Sequence, residues 1–346
     1  MSVTAANTAE AEAGQATMQA MVLDGFGGAE VLHMATIERP RAAPGGVIVK
    51  VAYAGVNPAD WKAREGWLSR YFAYQFPFVV GFDAAGVVAE IGEGVTGLAV
   101  GDRVVTASNQ GRGERGSYAQ YVASDFERVV KLPDTVLLTD AAAMPTAAIT
   151  AWESVFDIGD TKAGSLVLVN GGAGGTGSYA LQLAKMAGAR VAVTCGPANV
   201  DYVRGLGADL VIDYRKGGVL EAVKAWAPEG LDLVVDTVGQ GSLLDSIEMV
   251  KRGGIVSLIG TLIADEAVPD PARAAELGVA VIPTISTFAH QERQLNALVD
   301  ALASGCIRAP QIEIVPLAQA GEAQRRVADG HVRGKLLLEV DASLGR

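Results

Sequence analysis

Three glycines, Gly172, Gly174 and Gly177, follow the spacing G-x-G-x-x-G between an apolar segment at 166–169 and an Ala- and Leu-rich segment at 180–187. In a strand–turn–helix unit, the first glycine permits a tight turn, the second lets a pyrophosphate approach the backbone, and the third lets the helix pack on the strand. The helix N terminus adds free N–H groups and the positive end of its dipole. The alternative interpretation is a glycine-rich surface turn. The context favours a dinucleotide site built from Gly172, Ala173, Gly174, Gly175, Thr176 and Gly177.

The residues after the next predicted strand bear on the choice of dinucleotide. An NAD-binding unit normally carries Asp or Glu about 20 residues past the glycines, where it accepts hydrogen bonds from the ribose 2′-OH. Here that distance leads to 192–196, Ala-Val-Thr-Cys-Gly, which contains no acid. A 2′-phosphate would not be repelled there, so the sequence favours NADPH over NADH.

These motifs need two kinds of element to position them. Up to about Pro133, short runs of β-branched and apolar residues alternate with Gly, Asp and Pro turns, which predicts an antiparallel, β-rich domain. Beyond Asp140 the pattern changes: a helix is predicted over 141–156, and strands near 166, 191, 210, 231, 254 and 279 alternate with helical segments. That alternation predicts an α/β fold with a doubly wound parallel sheet. A further helix is predicted from Gln291 to Gly305, and a last strand over 335–340.

The composition excludes several classes of partner. Lys and Arg number 28 against 39 Asp and Glu, so the net charge of −11 argues against nucleic acid and anionic membranes. No apolar run approaches the roughly 18 residues of a membrane span. Residues 1–17 are small or polar without a basic start, so we expect a disordered leader and not a secretory signal. These features indicate a cytoplasmic protein.

Four segments in a fixed order carry a resemblance to a known family. They are 54–62 (AGVNPADWK), 80–92 (VGFDAAGVVAEIG) with 100–104 (VGDRV), the glycine turn, and 332–336 (VRGKL). Together they resemble the medium-chain dehydrogenase/reductase superfamily, and within it the zinc-free, zeta-crystallin-like quinone oxidoreductases. The resemblance implies a GroES-like β-rich catalytic domain over 18–143 and 289–346, and a Rossmann dinucleotide-binding domain over 144–288.

The resemblance also assigns expected roles to individual residues. Asn57 and Asp60 would be catalytic, and Asn57 would hydrogen-bond the nicotinamide ribose or the acceptor oxygen. Both also have a simpler interpretation, Asn57 as a turn residue before Pro58 and Asp60 as a solvated or capping carboxylate. Further cofactor contacts would come from Thr150, Tyr214, Arg215, Ile259, Gly260, Thr261 and Lys335.

Zinc-dependent members of that superfamily place Cys where Asn57 stands and His where Phe82 stands. A catalytic zinc needs about three protein ligands from Cys, His or carboxylate. The histidines (His33, His290, His331) and cysteines (Cys195, Cys306) show no ligand spacing, so no metal is expected. Without a Lewis acid, hydride transfer is easiest to an acceptor that already delocalises charge, such as a quinone or an enone.

The expected protein is therefore an NADPH-dependent reductase of quinones or α,β-unsaturated carbonyls. The aromatic residues Trp61, Trp67 and Tyr71 would line an apolar acceptor pocket, although core packing is the equal alternative. The resemblance implies a homo-oligomer, a dimer or a tetramer. An enoyl-thioester reductase, a zinc alcohol dehydrogenase and a dinucleotide-binding protein with a structural or sensing role remain alternatives.

Overall fold

The computed structural model describes residues 16–108, 110, 114–263, 266–286, 290–330 and 332–344. The chain forms two compact units. The first comprises Met1–Thr146, His290–Ala303 and Gln311–Arg346, and the second comprises Ala147–Ala289 and Ser304–Pro310. In the second unit, Gln182 and the backbone of Arg308 exchange two hydrogen bonds, of 2.9 and 3.1 Å.

The first unit is β-rich. Its main sheet has the order β14-β15-β3-β4-β5-β7 with β6 also on β3, and every pair is antiparallel except β14 with β15. The central strand β3 is long because a nearly unbroken run of Val, Ile, Ala and Tyr can be buried on both faces. The strands are β1 (Thr17–Val22), β2 (His33–Glu38), β3 (Gly46–Val56), β4 (Asp83–Ile91), β5 (Arg103–Ala107), β6 (Tyr121–Asp125), β7 (Val129–Lys131), β14 (Ile312–Pro316) and β15 (Lys335–Glu339).

Helices of the first unit lie at the ends of these strands. The predicted helix from Gln291 is confirmed, and it buries Leu295, Leu298 and Val299. The helices are α1 (Pro58–Arg64), α2 (Leu138–Ala142), α8 (Gln291–Ala303) and α9 (Ala320–Ala328).

The second unit contains a six-stranded parallel sheet in the order β10-β9-β8-β11-β12-β13. In chain order these are strands 3-2-1-4-5-6, the doubly wound dinucleotide-binding order, which confirms the predicted α/β fold. The strands are β8 (Leu166–Asn170), β9 (Arg190–Cys195), β10 (Leu210–Asp213), β11 (Leu231–Asp236), β12 (Val250–Ile259) and β13 (Ala280–Thr284). The helices are α3 (Pro145–Trp152, which begins in the first unit), α4 (Gly175–Met186), α5 (Val200–Gly205), α6 (Val219–Trp226) and α7 (Pro271–Leu277).

The single helix predicted over 141–156 is wrong. Helix α2 ends at Ala142, and α3 starts anew at Pro145 before passing into a π-helical turn over Glu153–Ile158. Proline lacks the backbone N–H that a continuous helix would use, whereas the first turn of a new helix has no use for it. The proline therefore divides the segment.

The N-terminal segment differs from the expected leader at Ala16 and Thr17. The Ala16 carbonyl accepts from the Arg39 N–H at 3.0 Å. Strand β1 begins at Thr17, which pairs with Glu38 of β2. Residues 1–15 of the expected leader lie outside the described residues.

Candidate active site

The glycine turn joins β8 to α4 in the second unit. Gly171 takes the left-handed conformation, with φ of +79°, and the Gly174 N–H donates to the Gly171 carbonyl at 3.1 Å. This bond closes a tight turn that has Gly172 and Ala173 at its centre, and Gly171 supplies the left-handed residue at its start. The motif count left out Gly171, whose positive φ favours glycine.

The three motif glycines differ in the space around them. A Cβ on Gly172 would collide with Val193 of β9, and a Cβ on Gly177 would lie 2.8 Å from Cα of Gly172. A Cβ on Gly174 would meet only the Gly171 carbonyl, at 3.6 Å. Gly172 and Gly177 thus serve close packing, whereas Gly174 faces open space at the start of α4.

This geometry fits a dinucleotide phosphate. The first N–H groups of a helix have no acceptor within the helix and carry the positive end of its dipole. Gly174, Gly175 and Thr176 are half-buried there, and Ala173 beneath them is buried. The open side of Gly174 lets an anion approach these donors without a Cβ in the way.

A buried network at the carboxyl ends of three strands holds the turn. The Thr194 hydroxyl accepts from the Gly171 N–H at 3.0 Å and donates to Oδ1 of Asn170 at 2.5 Å. Nδ2 of Asn170 donates to Asp236 at 2.8 Å and to Ser242 at 3.1 Å. The network thus connects β8, β9 and β11 beneath the phosphate site. Polar residues that end apolar strands were its only signal in the sequence.

The end of β9 presents two of the expected cofactor residues. The strand ends at Cys195, and the Tyr214 and Arg215 side chains each lie 3.9 Å from the position that a Cβ on Gly196 would take. Burial raises the pKa of the Cys195 thiol to about 11, an effect that the Asp213 charge reinforces and the Arg204 charge opposes. A negative charge on Asp213 and a positive charge on Arg204 therefore both act on the end of β9.

The other expected cofactor residues of the second unit are placed as follows. Thr150 is buried in α3, and its carbonyl accepts from the Ser154 hydroxyl at 3.0 Å. Ile259 is the last residue of β12, and the next residue, Gly260, donates its N–H to Thr284 at 2.9 Å. The Thr261 hydroxyl donates to the Glu266 carboxylate.

In the first unit, Asn57 and Asp60 lie together at the junction of β3 and α1. Asp60 Oδ2 accepts from the Asn57 N–H at 2.7 Å and from the Tyr118 hydroxyl at 3.0 Å, while Oδ1 accepts from the Phe82 N–H at 3.1 Å. Asn57 is 2% exposed and Asp60 is fully buried. The simpler interpretation of Asp60 as a solvated carboxylate is therefore wrong. Its bond to the Asn57 N–H is a helix-capping contact.

Burial is the largest influence on the Asp60 carboxyl. With the negative charge of Asp83 as the second cause, it raises the pKa from 3.8 to about 7, although the Asn57 N–H, the Lys335 ammonium and the Tyr118 hydroxyl act in the opposite direction. Burial lowers the pKa of Lys335, against the opposing effect of the nearby carboxylates. The junction of β3 and α1 thus holds three ionisable side chains, Asp60, Asp83 and Lys335, that are almost completely shielded from solvent.

The Lys335 ammonium and the Asp83 carboxylate both bond to the Asn57 side chain and lie 3.6 Å from each other. The Lys335 ammonium donates to Oδ1 of Asn57 at 2.5 Å and to the Val56 carbonyl at 3.1 Å. Nδ2 of Asn57 donates to Asp83 Oδ2 at 2.8 Å, and Asp83 Oδ1 accepts from the Thr146 hydroxyl at 2.5 Å. The Lys335 ammonium thus forms its hydrogen bonds with Val56 and Asn57, both of which belong to the first unit.

The sequence interpretation missed Asp83, Thr146 and Tyr118 as members of this cluster. Asp83 had a signal, because it is a charged residue within an apolar run and buried carboxylates are normally paired. Thr146 and Tyr118 had none, since both reach the cluster from distant parts of the sequence.

The expected pocket residues pack partly against one another. Trp61 and Trp67 are half-buried and meet edge to face, with ring centroids 5.0 Å apart. Tyr71 is 51% exposed, with the Arg70 guanidinium over its ring. The two tryptophans are in contact with each other, and Tyr71 lies in solvent.

The donor set at this junction does not fit zinc. Within the described ranges, no group of three or more His, Cys, Asp or Glu side chains could hold a metal. Asn57 and Phe82 offer a carboxamide and a phenyl ring, and a Lys335 ammonium 3.6 Å from Asp83 would repel a cation.

In the part of the chain that the structure describes, no helix is both long and apolar enough to span a membrane.

Comparisons with known proteins match both units. A family model of the alcohol dehydrogenase GroES-like domain matches residues 43–134, and a model named zinc-binding dehydrogenase matches residues 206–338. Human quinone oxidoreductase is 29% identical over 330 residues, covering 94% of this chain and 98% of that protein. A chloroplastic NADPH-dependent alkenal/one oxidoreductase of Arabidopsis thaliana is 34% identical over 253 residues, covering 71% of this chain and 63% of that protein.

Solved structures share the fold over nearly the full length. The quinone oxidoreductase from Coxiella burnetii has a TM-score of 0.81 and 28% sequence identity, and the alignment covers 94% of this chain and all of that one (100%).

Proposed function

The chain belongs to the medium-chain dehydrogenase/reductase superfamily, in its zeta-crystallin-like quinone oxidoreductase branch, and is an NAD(P)H-dependent oxidoreductase; from this premise we propose that it reduces quinones or α,β-unsaturated carbonyls with NADPH and without zinc. The observation that carries the proposal is the open side of Gly174 at the start of α4. A backbone that leaves room for a phosphate at free helix N–H groups is suited to a dinucleotide. When bound, the nicotinamide supplies the hydride.

NADPH is the proposed form of the cofactor. The end of β9 carries Cys195 and Gly196 where an NAD-binding unit has an acid, and the Arg215 side chain stands beside Gly196. A guanidinium pairs well with a phosphate, and Arg204 adds positive charge at the same strand end. The Arabidopsis relative, named for NADPH, supports the same choice.

The absence of zinc is proposed from the chemistry of the side chains. Asn57, Phe82 and Lys335 together offer one carboxamide, one ring and one cation, none of which is a good zinc ligand. A protein without a Lewis acid must rely on positioning, so it is suited to acceptors that already delocalise charge. The names of the human and Arabidopsis relatives, quinone and alkenal/one oxidoreductase, agree with those acceptor classes.

Asn57 is the proposed contact to the reacting groups. Its carboxamide uses one N–H on Asp83 and one Oδ1 lone pair on Lys335, and an amide has two donors and two acceptor sites. The capping box also directs the Asp60 N–H at the Asn57 side chain, so one N–H of the carboxamide remains for a ribose hydroxyl or an acceptor oxygen. Asp60 holds the backbone of Asn57 and is proposed as a positioning residue.

The remaining parts of the proposal come from the family resemblance, except the location, which comes from the composition. They are catalytic and dinucleotide-binding domains near 18–143 with 289–346 and 144–288, acceptor contacts from Trp61, Trp67 and Tyr71, cofactor contacts from Thr150 and 259–261, a cytoplasmic location, and a dimer or tetramer of this chain. Light scattering after gel filtration measures the oligomer.

The test is NADPH oxidation, with NADH as control, against naphthoquinones, benzoquinones, enones, crotonyl thioesters and simple aldehydes. We expect turnover with quinones or enones and unchanged rates after treatment with a chelator. Activity on aldehydes alone, or stoichiometric zinc in metal analysis, would contradict the proposal. Turnover restricted to crotonyl thioesters would favour an enoyl-thioester reductase, and NADPH binding without oxidation would favour a structural or sensing role.

A further inference from the structure

The Asn57 carboxamide bonds to two groups of opposite hydrogen-bonding character, which also form an ion pair with each other at 3.6 Å. Oδ1 accepts from the Lys335 ammonium at 2.5 Å, and Nδ2 donates to the Asp83 carboxylate at 2.8 Å. An ammonium can only donate and a carboxylate can only accept. Turning the amide over would place Nδ2 against the ammonium and Oδ1 against the carboxylate. Both hydrogen bonds would be lost, so only one orientation of the carboxamide is compatible with its neighbours.

The two charged neighbours are themselves fixed. Lys335 is 4% exposed and Asp83 is fully buried. The ammonium also donates to the Val56 carbonyl at 3.1 Å, and Asp83 Oδ1 accepts from the Thr146 N–H at 2.9 Å and from its hydroxyl at 2.5 Å. Buried ions need such partners, because leaving either one unpaired is strongly destabilising. The positions of all three side chains are therefore linked.

The sheet brings these residues together. Strand β3 lies between β15 and β4, and the register pairs Gly55 with Asp83 and Val56 with Leu336. Asp83 and Lys335 thus begin the two strands that flank the end of β3, directly beside Asn57. The backbone pairing therefore places the three side chains next to one another.

We propose that Lys335, Asp83 and Thr146 are positioning residues whose common target is the Asn57 carboxamide. They orient its one free N–H toward a hydroxyl or carbonyl oxygen of the bound dinucleotide or of the acceptor. The identity of that ligand rests on the proposed function, whereas the orientation of the amide does not.

A double-mutant cycle tests the proposal. Thr146→Val keeps the side-chain shape and removes the hydroxyl that donates to Asp83, and Asn57→Ala removes the target. We expect Thr146→Val to weaken NADPH binding or to lower kcat/KM for the acceptor by about fivefold or more, but by less than about twofold in the Asn57→Ala background. Coupling in the NADPH dissociation constant identifies the dinucleotide as the ligand, and coupling only in the acceptor parameters identifies the acceptor.

The matched control is Thr106→Val. Thr106 is buried in β5, and its hydroxyl lies 2.8 Å from that of Ser124. Loss of the Thr106 hydroxyl should lower stability by about as much as Thr146→Val does. Its effect on binding or turnover should show no coupling to Asn57→Ala. Equal effects of Thr146→Val with and without Asn57 would overturn the proposal.

A second measurement keeps the proposal independent of turnover. With asparagine labelled with ¹⁵N, the Asn57 side-chain amide is identified by its loss in Asn57→Ala. We expect its protons to exchange with solvent at least about tenfold faster in Lys335→Met and in Asp83→Asn than in the unchanged protein. Exchange in the unchanged protein as fast as in exposed asparagines would overturn the proposal. A lack of NADPH oxidation with every acceptor would instead refute the proposed function and leave this readout intact.

Discussion

A methyl group on Gly55 would lie 2.9 Å from both Cβ and Oδ2 of Asp83. The two residues are opposite each other in the register of β3 and β4. The same methyl group would also lie 2.7 Å from the Ala142 carbonyl, so it could not shift away from Asp83 without a second clash. The absence of a side chain at Gly55 is therefore what lets the Asp83 carboxylate reach Asn57.

Gly55→Ala should displace the Asp83 carboxylate from Asn57. We expect kcat/KM to fall by about tenfold or more, because small misplacements of positioning groups are costly in catalysis. The matched control is Gly25→Ala, since no atom lies within 4 Å of its Cβ position. Steady-state kinetics of both variants check the prediction. It fails if Gly55→Ala is as active as Gly25→Ala.

Gly174→Ala and Gly177→Ala should affect different properties: Gly174→Ala should weaken NADPH binding, and Gly177→Ala should lower the stability of the fold. The Cβ on Gly174 meets no close atom, so stability should change by about 1 kcal/mol or less, while NADPH binding weakens by about tenfold or more. The Cβ on Gly177 collides with the Gly171 turn, and overpacking there should cost about 1–3 kcal/mol. Urea unfolding and NADPH fluorescence titration measure the two effects. Normal NADPH binding by Gly174→Ala would show that the phosphate lies elsewhere.

Arg215→Ala should change the preference between the two dinucleotides. The side chain stands beside Gly196 at the end of β9. We expect the NADPH dissociation constant to rise by about tenfold and that of NADH by less than about twofold, because only the 2′-phosphate loses a charged partner. Arg215→Lys, which keeps the charge, should lie between. An equal loss for both dinucleotides would assign Arg215 to another role.

Asp60 should make stability depend on pH. Its pKa is raised from 3.8 to about 7 by burial first and by the charge of Asp83 second. Between these values the folded protein holds a proton that the unfolded chain releases, so the contribution of Asp60 to the free energy of unfolding falls as the pH rises. The limiting slope for one group is about 1.4 kcal/mol per pH unit.

Asp60→Asn isolates this contribution. The free energy of unfolding in urea, measured for both proteins at intervals from about pH 4 to pH 8, gives a difference in which the other titrating groups cancel. We expect the stability of the unchanged protein relative to Asp60→Asn to decrease up to about pH 7 and then level off. A flat or rising difference would show that the Asp60 carboxyl titrates near its ordinary pKa.

The local parts of the fold could be predicted from the sequence. The strand, glycine turn and helix around Gly174 follow from spacing and composition within one short stretch, and the alternation of strands and helices gave the parallel sheet. The division at Pro145 was missed because apolar periodicity continues across it. The proline itself was the available signal.

The contacts of Lys335 and Asp83 with the Asn57 side chain could not be predicted from local sequence patterns. Lys335 lies 278 residues from Asn57 in sequence, and the contact exists because β15 pairs with β3. No local pattern encodes which strands are neighbours, and so the family resemblance named Asn57 and Lys335 without showing that they bond to each other. The role of Thr194 beneath the glycine turn was hidden for the same reason, since it depends on the pairing of β8 with β9.

The central claim is direct hydride transfer to an activated acceptor, and deuterium labelling tests it most directly. NADPH carrying deuterium on the transferable position of C4 is mixed with an enone substrate, and the product is analysed by NMR. The account predicts deuterium on the β-carbon and a solvent proton on the α-carbon. Deuterium on the carbonyl carbon, or none in the reduced product, would contradict it.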